Sequence, residues 1–321
     1  MVTHTIHARA YAGEADIARL LELFAAVRAV DPLEDAITAE GLRNEFAEPG
    51  FDPQRDMRIW EDADGKVVAF GQMNFSRTGD EPDVFIWFRV HPSLADSDLD
   101  EQILSWVEEH AADVERERNV RLKLRAFVRK QQATQIALLE RRGYRVARYF
   151  FRMARPLDAP IPEPVVPEGF TLTHTRGAED AEQWVDLYNQ SFIDHYNFHP
   201  LTTDLHVHWL QDSAYKPEGD LIALAPDGTW AGFCLCTIDR EENALNGRNE
   251  GWIRLLGTRR GYRQIGLGRA LLLAGLHRLK AEGVEIAVLG VDAANPTGAL
   301  RLYESNGFYP IREFIGYIKE L

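Results

Sequence analysis

The chain is poor in cysteine and in basic residues, and it has no long hydrophobic run. Lys and Arg number 36 against 50 Asp and Glu, which gives a formal net charge of -14. Nonspecific binding to nucleic acid or to an anionic membrane requires a basic face, so we expect neither partner. No segment approaches the length of a membrane-spanning helix, and residues 1–11 lack the continuous apolar core of a secretory signal. These absences predict a cytoplasmic protein.

The two cysteines, Cys234 and Cys236, lie two positions apart in a strand-like run, so both side chains point to the same face. Neighbours on one face are badly placed for a disulfide, and a metal site would require more ligands. We therefore expect both thiols to be packing residues, and we expect no bound metal.

The chain contains enough apolar sequence for two domains. Hydrophobic residues make up 45% of its 321 residues, an ordinary value for a globular protein that buries real cores. Five prolines between positions 156 and 167 form a stiff, extended segment that fits neither a helix interior nor a central strand. We predict one domain over residues 1–155, a proline-rich linker over 156–167 and a second domain over 168–321.

The two predicted domains are copies of one supersecondary unit. Gly13 and Gly177 each precede a helical pattern and are 164 residues apart, and Gly143 and Gly307 keep the same separation near the end of each copy. Each copy is expected to contain a strand, a helix, a second helical region, strands, a crossover helix, a strand, a helix and a final strand. The sequence thus predicts an α/β fold with a mixed sheet that occurs twice.

The second copy contains a glycine loop, Arg-Gln-Ile-Gly-Leu-Gly at residues 263–268. Gly266 and Gly268 allow the backbone to approach an anion closely. The apolar run that follows predicts a buried helix ending near Gly283, and the start of that helix offers unpaired N–H groups to a phosphate.

A second helix is expected shortly after this one. A buried strand over residues 288–291 leads to Asn295 and Pro296, which are typical of an N-cap and of a first helical residue. The helical run that follows carries Tyr303, and Gly307 ends it.

Together these residues resemble the signature of the GNAT acetyltransferase superfamily, R/Q-x-x-G-x-G/A at a helix start, then N-x-x-A-x-x-x-Y and a terminal G-F. The matching residues are Arg263, Gly266, Gly268, Asn295, Ala299, Tyr303, Gly307 and Phe308. The resemblance covers the second copy and implies two tandem GNAT folds, with acetyl-CoA as the co-substrate. It implies cofactor contacts from Leu256, Gly257, Thr258, Arg263, Gln264, Ile265, Gly266, Leu267, Gly268, Arg269 and Asn295.

The resemblance also assigns chemical roles. Tyr303 is expected to be the general acid that protonates the leaving thiolate, and N–H groups near Leu256 are expected to polarise the thioester carbonyl. A core aromatic is the alternative for Tyr303, and a plain helix cap is the alternative for Asn295. For the general base we predict Glu250, which shares the strand alternation of the cofactor strand, with Asp239 as its rival.

The acceptor is expected to contact a histidine-rich segment between Phe192 and Trp209. From this segment we predict Asp194, His195 and His199 as substrate residues. His206 and His208 complete the cluster, but no cysteine accompanies the histidines and a proline interrupts them, so metal ligation is not expected. A plain surface loop is the alternative.

The first copy has lost the phosphate loop. An offset of 168 residues places Asp98 and Asp100 at the positions of Gly266 and Gly268, and Leu139 corresponds to Tyr303. A carboxylate about 4 Å from a phosphate costs roughly 1 to 4 kcal/mol for each charge pair. We therefore predict a degenerate first domain, although an acidic helix start would explain the aspartates equally well.

The predicted function is acetyl transfer from acetyl-CoA to the amine of a small molecule, such as an amino sugar, a polyamine or an amino-acid derivative. The tandem layout and length resemble the mycothiol synthases, which acetylate the cysteinyl amine of a thiol precursor. The acceptor-side residues do not match theirs, so the substrate does not carry over. A non-catalytic acyl-CoA-binding regulator and a peptide N-acetyltransferase are the alternatives, and the sequence predicts no oligomeric state.

Overall fold

The computed structural model describes residues 6–76 and 82–321, and its contacts divide the chain into two compact units. The first unit extends to Arg148 and includes Ile315–Leu321, whereas the second unit is Tyr149–Phe314. Residues 1–5 of the N-terminal segment considered above lie outside the described part. No helix of the described residues combines the length and the apolar character that crossing a bilayer requires.

The first unit begins with antiparallel strands and ends with a parallel pair. Its elements are β1 (His7–Arg9), α1 (Glu14–Val30), α2 (Ala39–Phe46), α3 (Pro53–Asp56), β2 (Met57–Glu61), β3 (Val67–Phe75), β4 (Asp83–Val90), α4 (Leu99–Arg118), β5 (Lys123–Arg129), α5 (Ala133–Arg141) and the start of β6 (Arg145–Pro156). Strands β1 to β4 pair antiparallel in chain order, and β4 pairs parallel with β5. The parallel pair requires a crossover, which α4 supplies.

The second unit repeats this order. Its elements are the rest of β6, β7 (Thr171–His174), α6 (Ala181–Phe192), α7 (Thr203–Trp209), β8 (Asp220–Leu224), β9 (Trp230–Thr237), α8 (Arg240–Asn246), β10 (Glu250–Thr258), α9 (Leu267–Ala281), β11 (Ile286–Asp292), α10 (Ala299–Ser305) and the start of β12 (Tyr309–Glu320). Strands β7 to β10 pair antiparallel in chain order, and β10 pairs parallel with β11. The predicted α/β class, the mixed sheet and the repeat are confirmed.

The crossover helices show that the predicted offset is correct. Helix α4 begins at Leu99 and helix α9 begins at Leu267, which are 168 residues apart. Asp98 and Gly266 are therefore the N-cap residues of equivalent helices. The buried face of α9 packs on β9 so closely that a Cβ atom at Gly275 would lie 2.8 Å from the sulfur of Cys234 and 3.0 Å from that of Cys236. Both thiols are free and buried in this core.

The boundary between the units differs from the predicted one at both ends. Residues 150–156 of β6, which we assigned to the first domain, pair antiparallel with β11 of the second unit. Conversely, Tyr317 lies in a core of the first unit, where its hydroxyl donates a 3.0 Å hydrogen bond to Glu140. The segment predicted as a linker starts at Pro156, the last residue of β6, and contains no helix or strand after it. Hydrogen bonds between strands distant in sequence, rather than the prolines, decide the division.

Candidate active site

Strands β10 and β11 of the second unit diverge. Their parallel pairing joins residues 250–253 to residues 286–289 only, although β10 continues to Thr258 and β11 to Asp292. The pairing of β10 with β9 is irregular between Ile253 and Leu255, and such an irregularity bends a strand. From Arg254 onward the edge of β10 that faces β11 has no β11 partner among the described residues. An extended ligand could pair with that edge as an added strand would.

The glycine loop leads from β10 to the start of α9. Gly261, Gln264 and Gly266 all adopt positive φ, at 88°, 65° and 91°. Turns of this kind direct neighbouring N–H groups into a concavity that suits an anion. Gly266 is the N-cap residue of the 15-residue helix α9, which has no side-chain cap. A Cβ atom at Gly266 would have no neighbour within 4 Å, so the space beside the N–H groups is open, and this space fits a phosphate.

Arg263 holds the loop in place. Its Nε donates to the carbonyl of Thr258 at 3.0 Å, and its two Nη atoms donate to the carbonyl of Ser191 at 2.9 Å and to Asp194 at 2.7 Å. Arg260 also donates to Asp194, from Nε at 2.8 Å. These two guanidinium groups hold the pKa of the Asp194 carboxyl well below its usual range. Because protein groups occupy Arg263, binding of a phosphate falls mainly to main-chain N–H groups, as the resemblance implied.

Two cavities of the second unit meet at the divergence of the strands. The loop cavity, of about 690 Å³, is lined by residues such as Thr258, Gly266 and Gly268. The splay cavity, of about 430 Å³, is lined by residues such as Arg152, Trp252 and Gly290. Six residues line both cavities and form what we call the junction: Phe192, His195, Leu256, Thr297, Ala299 and Tyr303.

Tyr303 lies on α10 and brings a phenol to the junction. The side chain is largely buried, and its ring packs edge-on against Phe308 with the centroids 5.9 Å apart. Burial raises the pKa of Tyr303 well above its ordinary value, because the phenolate would lose its hydration. The phenol therefore keeps its proton through the physiological range and can donate it.

His195 follows α6 and brings an imidazole to the junction. Its ring packs edge-on against Phe192, with the centroids 4.5 Å apart, and its Nε2 lies 3.4 Å from Nδ2 of Asn295. Burial lowers the pKa of His195, while the negative charges of Asp292 and Asp194 act in the opposite direction. Since the ordinary pKa is 6.5, the imidazole is neutral at pH 7 and can accept a proton.

The predicted start of the second helix is wrong. Helix α10 begins at Ala299 with Gly298 as its N-cap residue, not at Pro296. The side-chain oxygen of Asn295 accepts hydrogen bonds from the N–H of Thr297 at 2.8 Å and from its hydroxyl at 2.6 Å. Asn295 therefore stabilises a local turn that competes with the helix. Its side chain nevertheless lines the splay cavity beside His195.

The structure does not bring the two predicted bases to the junction. Glu250 lies at the paired end of β10, away from the divergence, and its carboxylate is 3.7 Å from Arg248. Asp239 caps α8 by accepting from the N–H of Glu242 at 2.7 Å. Neither residue is among the described residues that line the loop cavity or the splay cavity.

The predicted substrate residues are divided in the same way. Asp194 lines the loop cavity, not the splay cavity, and His199 lines neither. His206 is buried and stacks on Trp184 with the centroids 4.0 Å apart, and burial lowers its pKa to about 4. Within the described ranges, no group of three or more His, Cys, Asp or Glu side chains is arranged to hold a metal ion.

The corresponding opening in the first unit is bridged by an ion-pair cluster. Pairing between β4 and β5 ends at Ile86 and Ala126, yet both strands continue. Beyond that point Glu34 accepts from Nε of Arg89 on β4 at 2.6 Å and lies 3.0 Å from Nη2 of Arg129 on β5. These side chains connect the two diverging strands, and the sequence gave no local sign of them.

Sequence reasoning also missed Arg152, which lines the splay cavity. It lies on β6, within the residues that we assigned to the first domain, and its position opposite Gly290 depends on pairing across more than one hundred residues. Strand alternation alone could not have found it.

Comparisons with known proteins agree with this geometry. Residues 181–308 match the family model described as the Acetyltransferase (GNAT) family. Over 166 residues the chain is 37% identical to a mycothiol acetyltransferase from Thermobispora bispora, and the match covers 52% of this chain and 55% of that protein. The chain spans little more than half the length of the curated relatives that it matches, from 55% to 59%.

Solved structures extend the likeness to both units. A GCN5-related N-acetyltransferase from Sphaerobacter thermophilus has a TM-score of 0.75 and 27% identity, over 98% of this chain and 95% of that one. A tandem GNAT protein from the clavulanic acid biosynthesis pathway has a TM-score of 0.73 and 17% identity, over 98% of both chains, which shows a shared fold. The chain therefore contains a domain of the acetyltransferase (GNAT) family, over residues 181–308, within a tandem GNAT fold.

Proposed function

We propose that this chain transfers the acetyl group of acetyl-CoA to the amine of a small molecule, in the cleft of the second unit. The observation that carries the proposal is the junction, where His195 and Tyr303 line the loop cavity and the splay cavity at once. A neutral imidazole and a protonated phenol are the pair that aminolysis of a thioester requires.

Acetyl-CoA enters as the first substrate. Its pyrophosphate binds the N–H groups of the glycine loop and of the first turn of α9, and its pantetheine arm lies along the unpaired edge of β10. This places the thioester near Leu256, which is a junction residue. A backbone N–H there stabilises the oxyanion of the tetrahedral intermediate.

The amine enters from the splay cavity. His195 takes a proton from the amine as the nitrogen attacks the carbonyl carbon, so that the C–N bond forms and the negative charge moves to oxygen. The intermediate then collapses, the C–S bond breaks, and Tyr303 donates its proton to the departing sulfur. We favour His195 over the predicted base Glu250, because Glu250 lies at the paired end of β10 and faces Arg248.

The first unit has a structural role in this proposal. The bridge from Arg89 through Glu34 to Arg129 crosses its diverging strands, and Asp98 takes the place of the N-cap glycine. We therefore assign catalysis to one cleft in each chain. A cytoplasmic location remains part of the proposal. The relatives named mycothiol acetyltransferase make a mycothiol-type acceptor a second candidate.

The test is release of free thiol from acetyl-CoA in the presence of a panel of amines. We expect release that depends on the amine, and we expect Tyr303→Phe to lower it. Tyr309→Phe is the matched control, because Tyr309 is half exposed and lies outside the described lining of both cavities. Binding of acetyl-CoA without thiol release for any amine would favour a non-catalytic acyl-CoA-binding regulator.

A further inference from the structure

Two arginines flank one tryptophan in the splay cavity. The guanidinium carbon of Arg152, on β6, lies 4.6 Å from the centroid of the Trp252 ring, and that of Arg254, on β10, lies 4.7 Å from it. All three side chains line the cavity. Contact with an aromatic face orients a guanidinium group and leaves its N–H donors available at the edge.

The strand between these arginines leaves an open space. Gly290 on β11 pairs with Arg152 across the sheet and also lines the splay cavity. A Cβ atom at Gly290 would meet nothing within 4 Å. The space above this glycine is therefore bordered by β6 and β10, the two strands that carry the arginines.

Arg254 differs from the arginines of the glycine loop. Those arginines are bonded to carboxylates, Arg259 to Asp186, and Arg260 and Arg263 to Asp194. Arg254 instead donates from Nε to the hydroxyl of Thr237 at 3.0 Å. In the described ranges no acidic side chain forms an ion pair with it, although Glu242, Asp212 and Asp239 act on it through space.

The surroundings of Arg254 favour an anionic ligand. Protein encloses most of the side chain, which lowers the pKa of its guanidinium, while the side chain remains open to the cavity. A cation held in this way gains from a carboxylate that restores the interactions lost with water. A third cavity, of about 260 Å³, shares Arg254 and Leu255 with the splay cavity and is lined by Trp209 and Leu235.

We propose that the acceptor amine carries a carboxylate, which binds above Gly290 between Arg152 and Arg254. This inference rests on the proposed function, and it narrows the acceptor to an amino acid or an amino-acid derivative. The neighbouring third cavity receives an apolar side chain. A polyamine is disfavoured, because the two arginines would repel its second ammonium group.

The kinetic test compares L-leucine with L-leucinamide, which differ in the carboxylate alone. For the wild-type chain we expect kcat/KM to be roughly 10- to 100-fold higher for leucine, the range typical of a hydrogen bond to a charged group. Arg254→Gln removes this preference by raising KM for leucine, and Arg254→Lys restores part of it. Arg116→Gln is the matched control, because it makes the same change in net charge at a side chain that is 77% exposed.

A binding test does not depend on turnover. Calorimetry with N-acetyl-L-leucine and N-acetyl-L-leucinamide measures the affinity of the acid and of its neutral counterpart. We expect tighter binding of the acid, which Arg254→Gln abolishes and which Gly290→Val weakens by filling the open space. Melting curves establish that each variant is folded.

The two hypotheses fail separately. Acetylation of leucine and leucinamide at equal rates, or equal binding of the two acetylated compounds, would overturn the carboxylate site and leave the acetyltransferase proposal standing. Tighter binding of the acid that Arg254→Gln abolishes, without acetylation of any amine, would support the carboxylate site and refute the proposed function.

Discussion

A single charge placed in the glycine loop tests how the cofactor is held. In the first unit the N-cap residue of α4 is Asp98, whereas in the second unit the equivalent residue is Gly266. The change Gly266→Asp therefore copies the first unit into the second. Gly266→Asn is its matched control, because the two side chains have the same shape and differ in charge.

The magnitude follows from the local geometry. Gly266 has φ of 91°, and a Cβ atom there meets nothing within 4 Å. Both variants therefore lose stability through the left-handed backbone, by about 1 kcal/mol, and neither creates a clash. Only the aspartate repels the pyrophosphate, by roughly 1 to 4 kcal/mol for a charge pair about 4 Å apart. This corresponds to an affinity for acetyl-CoA that is roughly 5-fold to several hundred-fold lower than that of the asparagine variant.

Calorimetric titration of the two variants with acetyl-CoA measures the difference directly. Raising the salt concentration should reduce it, since the charges are partly exposed to solvent. Melting curves of the free proteins should coincide. Equal affinities of the aspartate and asparagine variants, with native melting curves, would show that the loop does not hold phosphate.

Three further predictions concern buried titratable groups. Tyr303→Phe should lower turnover by roughly 10²-fold, the low end for loss of an acid catalyst, and leave acetyl-CoA affinity intact; an unchanged rate removes Tyr303 from the mechanism. His195→Gln should abolish the acid limb of the kcat/KM profile, which in the wild type lies below the ordinary imidazole value of 6.5; a limb that persists points to another base. Burial raises the pKa of Asp220 from 3.8 to about 7, so wild-type stability should fall as pH rises through that window, because the unfolded carboxyl ionises first. Thermal unfolding of Asp220→Asn should show a smaller fall, and equal falls would mean that Asp220 is not the cause.

Local sequence signals predicted the elements that hold the cofactor. The glycine loop, the apolar run of α9 and the buried strand β11 lie within a short stretch, where glycine conformation and apolar periodicity act directly on the backbone. The start of α10 was missed at Asn295, because an asparagine before a proline is typical both of a helix N-cap and of a tight turn. The hydrogen bonds to Thr297 decide for the turn.

Interactions between distant segments could not be read in this way. Alternation along β10 predicts which face Glu250 shares with Trp252, but it does not show that pairing with β11 ends at Ile253. For the same reason the sequence did not place Arg152 beside Arg254, since β6 pairs with β11 far along the chain. The candidate acid was therefore predictable from the sequence, whereas the arginines of the splay cavity required the structure.

The central claim is that each chain has one working cleft, in the second unit, and calorimetric titration of the chain with acetyl-CoA tests it most directly. The bridge through Glu34, the aspartate at position 98 and the open loop at Gly266 predict one binding event per 321-residue chain. The predicted single event should also disappear in the Gly266→Asp variant. Two events of comparable affinity would contradict the division into one working and one degenerate unit, and would make both clefts candidates for catalysis.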